Sequence, residues 1–560
     1  MAESPLYQPI DPTTFDLIII GTGLSESIIA AAASASGKSV LHIDQYSFYG
    51  SHFSSLSIPD LTSFLNSNST TAPLPSPQQP PHSDFTVLNL TTKPLYSNVE
   101  ITTFSENVHD QEYRTKFNLD VSGPRVLYCG DKSIELMIKS GASQYVEFKS
   151  VDGSFVGDGN GKLYSVPDSR AAIFQDKSLS LMEKNRLMRF FKLVESHIAA
   201  SGYDENEQGD DEEEGGARIS EEDMESPFVE FLNKMNLSSK IKSIILYAIA
   251  MADYDQENAG GMDKDLLRTK DGVDRLALYQ SSIGRFTNAS GAFIYPIYGQ
   301  GELSPAFCRR AAVKGCIYVL RMPVIALLMD KNNDSYKGIR LASGQDICSQ
   351  KLVLDPSFTV LSPSASPLNP PPESFHKLSL GDVKHKVARG ICILRSSLKP
   401  DMSNFMVFYP PRSLYPEQST SIRALHVGGS LAVCPSNMFV LYLSSLCDDV
   451  HQGKKLINTA INALLSCANS VKLESQSTDQ TRDAEVQPIL LWSALYIQEL
   501  TTGNFDSISS TSMPDGNLDY DDVLDTSKKL FQKIYPDEEF FPESNSPDNP
   551  EHDDELSLMT

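Results

Sequence analysis

The sequence is short of positive charge. Lysine and arginine together number 47, against 72 aspartates and glutamates, and the formal net charge is −25. Nucleic-acid binding needs a surplus of basic side chains to contact phosphates, so the composition argues against a nucleic-acid partner. The same deficit disfavours nonspecific attraction to anionic lipid, while a basic protein partner is compatible with it.

The chain also lacks paired cysteines and long hydrophobic runs. Its eight cysteines are scattered without a CxxC pair, which favours reduced core thiols over disulfides or a metal site. No segment reaches the roughly 18 apolar residues of a membrane span. The first residues, MAESPLYQPIDPTTFD, show no basic-then-apolar signal pattern. We therefore expect a cytosolic protein.

Catalytic signatures are missing as well. The ten histidines show no HExxH or other metal-ligand spacing, and the sequence has neither a GxSxG elbow nor a P-loop. At 560 residues the chain can bury a large core, yet it presents no recognisable catalytic set. The pattern predicts a binding protein that is not an enzyme and holds no metal.

What the sequence does contain is the outline of a dinucleotide-binding βαβ unit, FDLIIIGTGLSESIIAAAASASGKSVLHIDQYSFYG. A buried strand at residues 17–20 leads into Gly21 and Gly23, then a helix of small residues, then a second strand that ends at Asp44. The two glycines fit the tight turn and the close backbone approach of the fingerprint, and Asp44 fits its ribose-binding acid.

Glu26 replaces the third glycine of that fingerprint. A long acidic side chain at this position either increases the distance between the helix and the strand or places a carboxylate where the fingerprint binds the pyrophosphate. Two negative charges about 4 Å apart repel by about 4 kcal/mol at an effective dielectric near 20, which corresponds to roughly a thousandfold loss of affinity. We therefore expect a dinucleotide-binding fold that holds no cofactor.

Segments of biased composition interrupt this fold. Residues 66–84 and 362–374 are rich in proline and serine, and residues 204–225 are strongly acidic, so we expect all three to lie outside the core. Helical periodicity recurs in residues 132–148 and 181–200. The pattern predicts an α/β chain with a small all-helical domain inserted into it.

Several spaced blocks resemble the Rab escort protein and Rab GDP-dissociation inhibitor superfamily. They are the βαβ unit, VLYCGDKSIELMIKSGASQYVEFKSVDGSF (126–155), YQSSIGRFTNASGAFIYPIYGQGELSPAFCRRAAVKGCIYVLRMPV (279–324) and LDPSF (354–358). The resemblance implies a large domain with the fold of FAD-dependent monooxygenases, used without flavin, and a smaller helical domain. It also implies binding to GDP-loaded Rab GTPases and shielding of their geranylgeranyl groups.

With that fold, the domain boundaries can be stated. We predict residues 1–124 as the first part of the large domain, 125–260 as the helical domain with its acidic disordered insertion at 204–225, 261–535 as the rest of the large domain with the Rab-binding platform, and 536–560 as an acidic disordered tail.

Length, insertions and the C-terminal extension favour the escort branch of this superfamily over the inhibitor branch. The escort branch presents Rab to the geranylgeranyltransferase α/β heterodimer and touches membrane transiently on delivery. It docks on the α-subunit through a Phe, which Phe174 matches, and an Arg eleven positions later, where this chain has Asn185. A guanidinium makes bidentate contacts that an amide does not, so we expect weaker or compensated docking.

Three residues match the Rab-binding platform of the superfamily: Tyr49, Glu302 and Arg309. Pro305 stands where the family usually has a Gln, which removes one polar contact. Other interpretations stay open, because Tyr49 could close the βαβ turn and the Glu–Arg pair could be a weak surface ion pair.

A prenyl carrier also needs an apolar groove, and flexible methionines suit one. The candidates all lie on predicted helices: Met137, Met188, Phe191, Val194, Ile244, Ile245 and Ala248. Each could equally be ordinary helix-bundle core. Two further hypotheses remain beside the escort function: a Rab GDP-dissociation inhibitor, and a flavin-dependent oxidoreductase.

Overall fold

We analysed a computed structural model of the chain. It describes residues 7–71, 85–105, 114–168, 170–177, 179–201, 218–257, 266–332, 335–360, 386–475, 489–501, 503 and 508–542. Most of the Pro-rich insertion, residues 204–217 of the acidic insertion, the 362–374 loop and the tail from residue 543 lie outside the described residues.

The helices are α1 Leu24–Ala35, α2 Ile58–Ser67, α3 Lys132–Ser140, α4 Arg170–Gln175, α5 Leu181–Ser201, α6 Glu221–Glu225, α7 Phe228–Lys234, α8 Ser239–Ser243, α9 Thr269–Ser282, α10 Leu303–Val313, α11 Val450–Ser475 and α12 Asp521–Ile534. The strands are β1 Thr14–Ile20, β2 Val40–Ile43, β3 Ser55–Leu56, β4 Phe85–Thr92, β5 Tyr96–Thr103, β6 Leu119–Asp120, β7 Leu127–Tyr128, β8 Phe148–Ser150, β9 Gly153–Gly157, β10 Leu163–Ser165, β11 Phe293–Pro296, β12 Ile317–Val319, β13 Val324–Asp330, β14 Tyr336–Leu341, β15 Asp346–Leu354, β16 Phe358–Val360, β17 Lys386–Leu394, β18 Phe405–Tyr409, β19 Ile422–Gly428, β20 Phe439–Cys447, β21 Leu490–Glu499 and β22 Ser509–Ser510.

The first sheet contains the predicted βαβ unit. Its strand order is β12-β2-β1-β15-β14-β13-β4-β16, with β22 beside β15. β1 pairs in parallel with β2 and β15, so that Leu17 lies opposite Val40 and Ile20 opposite Leu354. Both faces of this parallel part are covered, which explains why residues 17–20 read as an unbroken apolar run.

The second sheet is mostly antiparallel. Its order is β10-β9-β18-β19-β20-β17-β21-β5, and α11 packs against β17, β20 and β21. A π-helical turn, Ile244–Ile249, contacts β9 and β18. Mixed sheets joined to a group of helices confirm the predicted α/β class.

The helical group begins later and ends later than the predicted range of 125–260. Strands β7, β8 and β9 fall within that range and pair with β11 or β18 outside it, and β10 pairs with β9 at the edge of the second sheet. The helices that cluster together run from α4 to α9, and α9 packs on α5, α6 and α7. Helix α6 forms within the segment that composition predicted to be disordered.

Helix α12 packs along α1 and extends the fold toward the C-terminus. The packed chain continues past the predicted tail boundary at 536. Phe541 is buried against Phe307 of α10, and Lys38 pairs with Glu538. An acidic composition therefore concealed two aromatic anchors, Phe540 and Phe541, which pack edge-to-face and reach the core.

The cysteines whose side chains are described are all free, and Cys348 alone among them is not buried. This confirms the prediction of core thiols for that part of the chain.

Candidate functional site

The turn between β1 and α1 has the geometry of a nucleotide-binding loop. Gly21 adopts φ +99°, and a Cβ there would lie 2.5 Å from the Cβ of Asp355. Gly23 precedes α1, and a Cβ on it would lie 2.4 Å from Oε2 of Glu26. Gly21 is required by its positive φ and by the close approach of Asp355, whereas the atom nearest to Gly23 is the movable end of the Glu26 side chain.

Glu26 lies in the first turn of α1 and is 2% exposed. The positive end of the helix dipole is at this N-terminus, where a working fingerprint seats its pyrophosphate. Thr511 donates a hydrogen bond to Oε1 of Glu26. The helix is therefore not displaced from the strand. Instead, the carboxyl group of Glu26 lies where the fingerprint would bind the pyrophosphate.

Two more buried carboxylates lie in this region. Asp44 accepts hydrogen bonds from the Thr22 backbone N–H at 2.8 Å and hydroxyl at 2.6 Å, and from the Tyr46 N–H at 2.8 Å. Burial raises the pKa of Asp44 to about 6. Asp44, which corresponds to the ribose-binding acid of the fingerprint, therefore stabilises the loops at Thr22 and Tyr46.

Asp355 lies opposite Gly21 and is paired with His52, with 3.5 Å between Oδ1 and Nε2. Burial acts to raise the pKa of Asp355, but His52 and two seryl hydroxyls outweigh it and hold the pKa well below its usual value. Burial, and then Asp355, raise the pKa of Glu26 to about 8. A dinucleotide pyrophosphate does not fit here, because the Glu26 side chain already occupies its binding position and the ionised Asp355 nearby repels negative charge.

The predicted platform residues come together around α10. The Tyr49 ring packs edge-on against Tyr318, with centroids 6.1 Å apart, and Tyr318 lies next to Cys308 of α10. Arg309 is exposed, and its Cζ lies 5.4 Å from the centroid of the Tyr145 ring. Tyr49 is therefore linked to α10 through the buried side chain of Tyr318, whereas Arg309 contacts the segment that follows α3.

Glu302 precedes α10 and is half-buried. Burial raises the pKa of Glu302, and nearby Arg309 partly offsets that effect. Glu302 immediately precedes α10 and Arg309 lies in its second turn, so an acid and a base are held by the same helix. Pro305 lies in the first turn of α10. Backbone N–H groups in the first turn make no hydrogen bond within the helix, so proline costs none there.

A tight turn presents this surface. Gly299 has φ +101°, and a Cβ there would lie 2.5 Å from Ser55 Oγ; a Cβ on Gly301 would lie 2.4 Å from the Ser55 nitrogen. At both positions a side chain would collide with Ser55, which explains why glycine stands there. Tyr298, which sequence patterns missed, is 54% exposed and takes φ +72°, a strained value for a bulky residue.

The transferase-docking candidates lie together at the start of the helical group. Phe174 on α4 is 55% exposed, and its carbonyl accepts a hydrogen bond of 2.6 Å from Lys184 Nζ. Asn185 is exposed on α5. Sequence reasoning missed Leu181 and Met182, which are 71% and 64% exposed. Both lie in the first turn of α5, before its first buried residue, Leu187.

A capping box fixes this helix start. Ser180 donates to Oε2 of Glu183 through its N–H at 2.9 Å and its hydroxyl at 2.8 Å, and the Glu183 N–H returns a bond of 3.3 Å to Ser180 Oγ. The exposed apolar side chains are therefore held on an ordered helix end.

Most of the prenyl candidates lie in one core. Val194, Ile244, Ile245 and Ala248 are buried between the helical group and the second sheet, and Met188 and Phe191 are half-buried against the same cluster. The three candidates from residue 244 on share the π-helical turn, a rare element that frequently occurs at functional sites.

Met137 does not lie with them, and its assignment to the helical groove is corrected. It packs in a different core with α1 and α10. There it lines a small, partly open apolar cleft together with Leu24, Phe307 and Tyr520. The helical periodicity around Met137 was real, but α3 belongs to the large domain.

Two other findings concern the described part of the chain. None of its helices combines the length and the apolar character needed to cross a bilayer. Within the same residues, no three His, Cys, Asp or Glu side chains are arranged to hold a metal ion.

Comparison with known proteins gives consistent results. A family model described as GDP dissociation inhibitor matches residues 11–103 and 82–404. The chain is 56% identical over 556 residues to Rab escort protein 1 of Arabidopsis thaliana, covering 98% of this chain and 97% of that protein. It is 28% identical over 545 residues to the Rab proteins geranylgeranyltransferase component A of Drosophila melanogaster, covering 96% and 91%.

Among solved structures, the crystal structure of RAB GDI from Plasmodium falciparum matches with a TM-score of 0.64 at 19% identity, over 94% of this chain and 99% of that one. At this identity, the match shows a shared fold.

Proposed function

The chain belongs to the GDP dissociation inhibitor family, on the branch of its Rab escort relatives, and from that membership we propose that it is a Rab escort protein. It binds newly made, GDP-loaded Rab and presents it to Rab geranylgeranyltransferase as a non-catalytic accessory component. It then shields the prenyl groups and delivers Rab to membrane. The observation that carries this proposal is the match, along almost the whole chain, to relatives named for Rab escort and for geranylgeranyltransferase component A.

The surface around α10 supports Rab binding. Arg309 is exposed and Tyr49 and Glu302 are only partly buried, so all three side chains have surface that a partner can contact. Exposed charges at such an interface steer a partner and fix its register. Tyr298 adds an exposed aromatic side chain, a residue type enriched at interfaces.

The Phe174 surface supports transferase docking. Phe174, Leu181 and Met182 form an exposed apolar group on a capped helix end. Exposed basic side chains follow on α5, at Arg186 and Arg189, although the whole chain is strongly acidic. An apolar anchor framed by positive charge fits an acidic-rimmed hydrophobic pocket, such as we propose on the transferase α-subunit. This surface supplies contacts where Asn185 lacks a guanidinium.

Shielding a lipid requires apolar surface of matching size. Burying about twenty carbons at about 0.8 kcal/mol each gives more than ten kcal/mol of gross stabilisation. We propose that the core around the π-helical turn supplies it, with half-buried Met188 and Phe191 at the entrance. Val194, Ile244, Ile245 and Ala248 are closed off in this structure, so lipid entry requires the helices to separate.

A reconstituted prenylation assay tests the proposal. Unprenylated GDP-loaded Rab, the transferase heterodimer and geranylgeranyl diphosphate are mixed with or without this chain. We expect lipid transfer to Rab to depend on the chain, and Phe174→Ala to reduce it by weakening the transferase complex about 30-fold or more. Phe104→Ala is the matched control, since Phe104 is a comparably exposed phenylalanine far from α4 in sequence.

The alternatives give different results in the same assay. A GDP-dissociation inhibitor would bind prenylated Rab but would not support lipid transfer. A flavoprotein would absorb near about 450 nm when purified, from a bound redox cofactor. Absence of chain-dependent transfer would contradict the escort proposal.

A further inference from the structure

A buried carboxyl lies directly beneath the Tyr298–Glu302 turn. Asp120 ends β6 and is fully buried. Its Oδ1 accepts hydrogen bonds from Ser55 Oγ at 2.6 Å and from the Gln300 N–H at 3.2 Å, and its Oδ2 accepts from the Tyr295 hydroxyl. Ser55 Oγ in turn accepts from the Gly301 N–H at 2.8 Å. Two consecutive amides of the turn are thus anchored to one side chain, directly and through Ser55.

Burying the ionised carboxylate of Asp120 is energetically unfavourable. Burial raises the pKa of Asp120 to about 6, and the groups that act against burial are its hydrogen-bond donors, Ser55, Tyr295 and Gln300. A buried carboxylate stabilised by neutral donors contributes less to stability than an apolar side chain of similar size. Local rules of stability are broken most often at functional or strained sites.

We propose that Asp120 is a positioning residue for Rab binding: its carboxylate holds the Tyr298–Glu302 turn, and protonation of that carboxylate weakens Rab binding. The proposal rests on the proposed function, because it assumes that Glu302 and Arg309 contact Rab. Tyr298 and Gly299 both adopt left-handed backbone conformations, at φ +72° and +101°. Such a turn persists only when surrounding contacts hold it.

Protonation changes these anchors in a defined way. Hydrogen bonds to an ionised acceptor are roughly twice as strong as neutral ones. A protonated Asp120 must also donate its own proton, and Ser55 or Tyr295 can accept it, whereas the Gln300 amide cannot. The turn is therefore held more weakly in acid.

The effect on folding stability has the opposite sign. The pKa of Asp120 is raised on folding, from about 3.9 for an ordinary aspartate to about 6. Its contribution to stability is therefore fully present below about pH 3.9 and is lost as the pH rises through about 6. Acidification stabilises the fold through this group while it loosens the turn, which separates positioning from a merely structural role.

Other titratable groups face this region. Tyr295 and Tyr442 contact Asp120, and burial raises the pKa of both well above its usual value, so they stay neutral. Tyr496 and Tyr520 interact with it from further away. His52, in the segment before Ser55, faces Tyr96 and Asp355. Asp44 beneath the other glycine turn also has a pKa of about 6.

The test measures the affinity of GDP-loaded Rab between about pH 5.5 and 7.5 for the full chain and for Asp120→Asn. We expect the wild type to lose about threefold over this range, as a group with a pKa of about 6 becomes protonated. Asp120→Asn should bind about tenfold more weakly at the upper pH and show no such loss. The ratio of the two affinities cancels titration of Rab itself.

A second variant keeps the test decisive if Asp120→Asn does not fold. Ser55→Ala removes the link to the Gly301 amide, and it should weaken Rab binding at the upper pH while the wild-type pH dependence persists. Equal affinity of Asp120→Asn and wild type, or an unchanged pH profile in that variant, would overturn the proposal. Failure of the wild type to bind Rab at any pH would instead contradict the proposed function.

Discussion

The molecule contains two GxG turns with similar backbone geometry. They differ in the glutamate that follows each turn, which is buried after the first and partly exposed after the second. Gly21 and Gly299 adopt φ +99° and +101°, each is pressed against a buried aspartate, and each turn leads into a helix. At the first turn Glu26 folds inward and is buried. At the second turn Glu302 is half-buried on the outer surface, near exposed Arg309.

The difference shows how a ligand-binding turn changes its use. An inward acid at the positive end of α1 takes the place of an anionic ligand and closes the seat. An outward acid at the start of α10 leaves its charge available to a macromolecule. Similar GxG turns thus have different roles: we infer that the Gly21 turn is part of the scaffold and that the Gly299 turn is part of a partner-binding surface.

The largest expected effect comes from the helix that follows the outer turn. Arg309→Ala should weaken binding of GDP-loaded Rab about 30-fold or more, because truncating one charged group leaves its partner on Rab unpaired. Titration calorimetry measures this. Lys314→Ala is the matched control, since Lys314 is an exposed cation just past the end of the same helix. Equal losses for both variants would mean that Arg309 acts only through general electrostatics.

The same substitution at both turns sharpens the comparison. Gly21→Ala and Gly299→Ala each place a Cβ against a buried aspartate at positive φ, so each should lower the free energy of unfolding by about 1–3 kcal/mol. We expect only Gly299→Ala to weaken Rab binding as well, by about tenfold. Denaturant titration and calorimetry on both variants check this. If Gly21→Ala weakened Rab binding as strongly, the division between the turns would not hold.

The smallest effect is expected at the inner turn. The folded pKa of Glu26 is raised to about 8, so the stability it contributes at acid pH is lost as the pH rises from about 4.3 through 8. Glu26→Gln should remove that loss and melt about 2–4 °C higher than wild type at alkaline pH, with no change in Rab affinity. Melting curves across this pH range measure it. A lower melting temperature for the variant at every pH would show that the carboxylate stabilises the fold.

Sequence patterns were sufficient to predict the parts of this fold that depend on local periodicity and fixed turns. The apolar run at 17–20 forms part of β1, and the helical periodicity at 181–200 corresponds to α5. Gly21, Gly23 and Asp44 also lie at the expected turn, because close backbone approach leaves few residue types possible.

Other features depend on contacts between residues distant in sequence. Met137 carries a helical pattern, but which core it enters depends on the packing of α1 and α10. Asp120 and Ser55 are separated from the platform turn by many residues and carry no motif of their own. Phe540 and Phe541 sit in an acidic context that predicted an extended tail. Only the folded arrangement shows these roles.

The most direct test of the account is titration of GDP-loaded, unprenylated Rab into the purified chain. We expect saturable binding with one Rab per chain. The affinity should fall at least about 30-fold in Arg309→Ala and stay unchanged in Glu26→Gln. No detectable Rab binding by the folded wild-type chain, or equal loss in both variants, would contradict it.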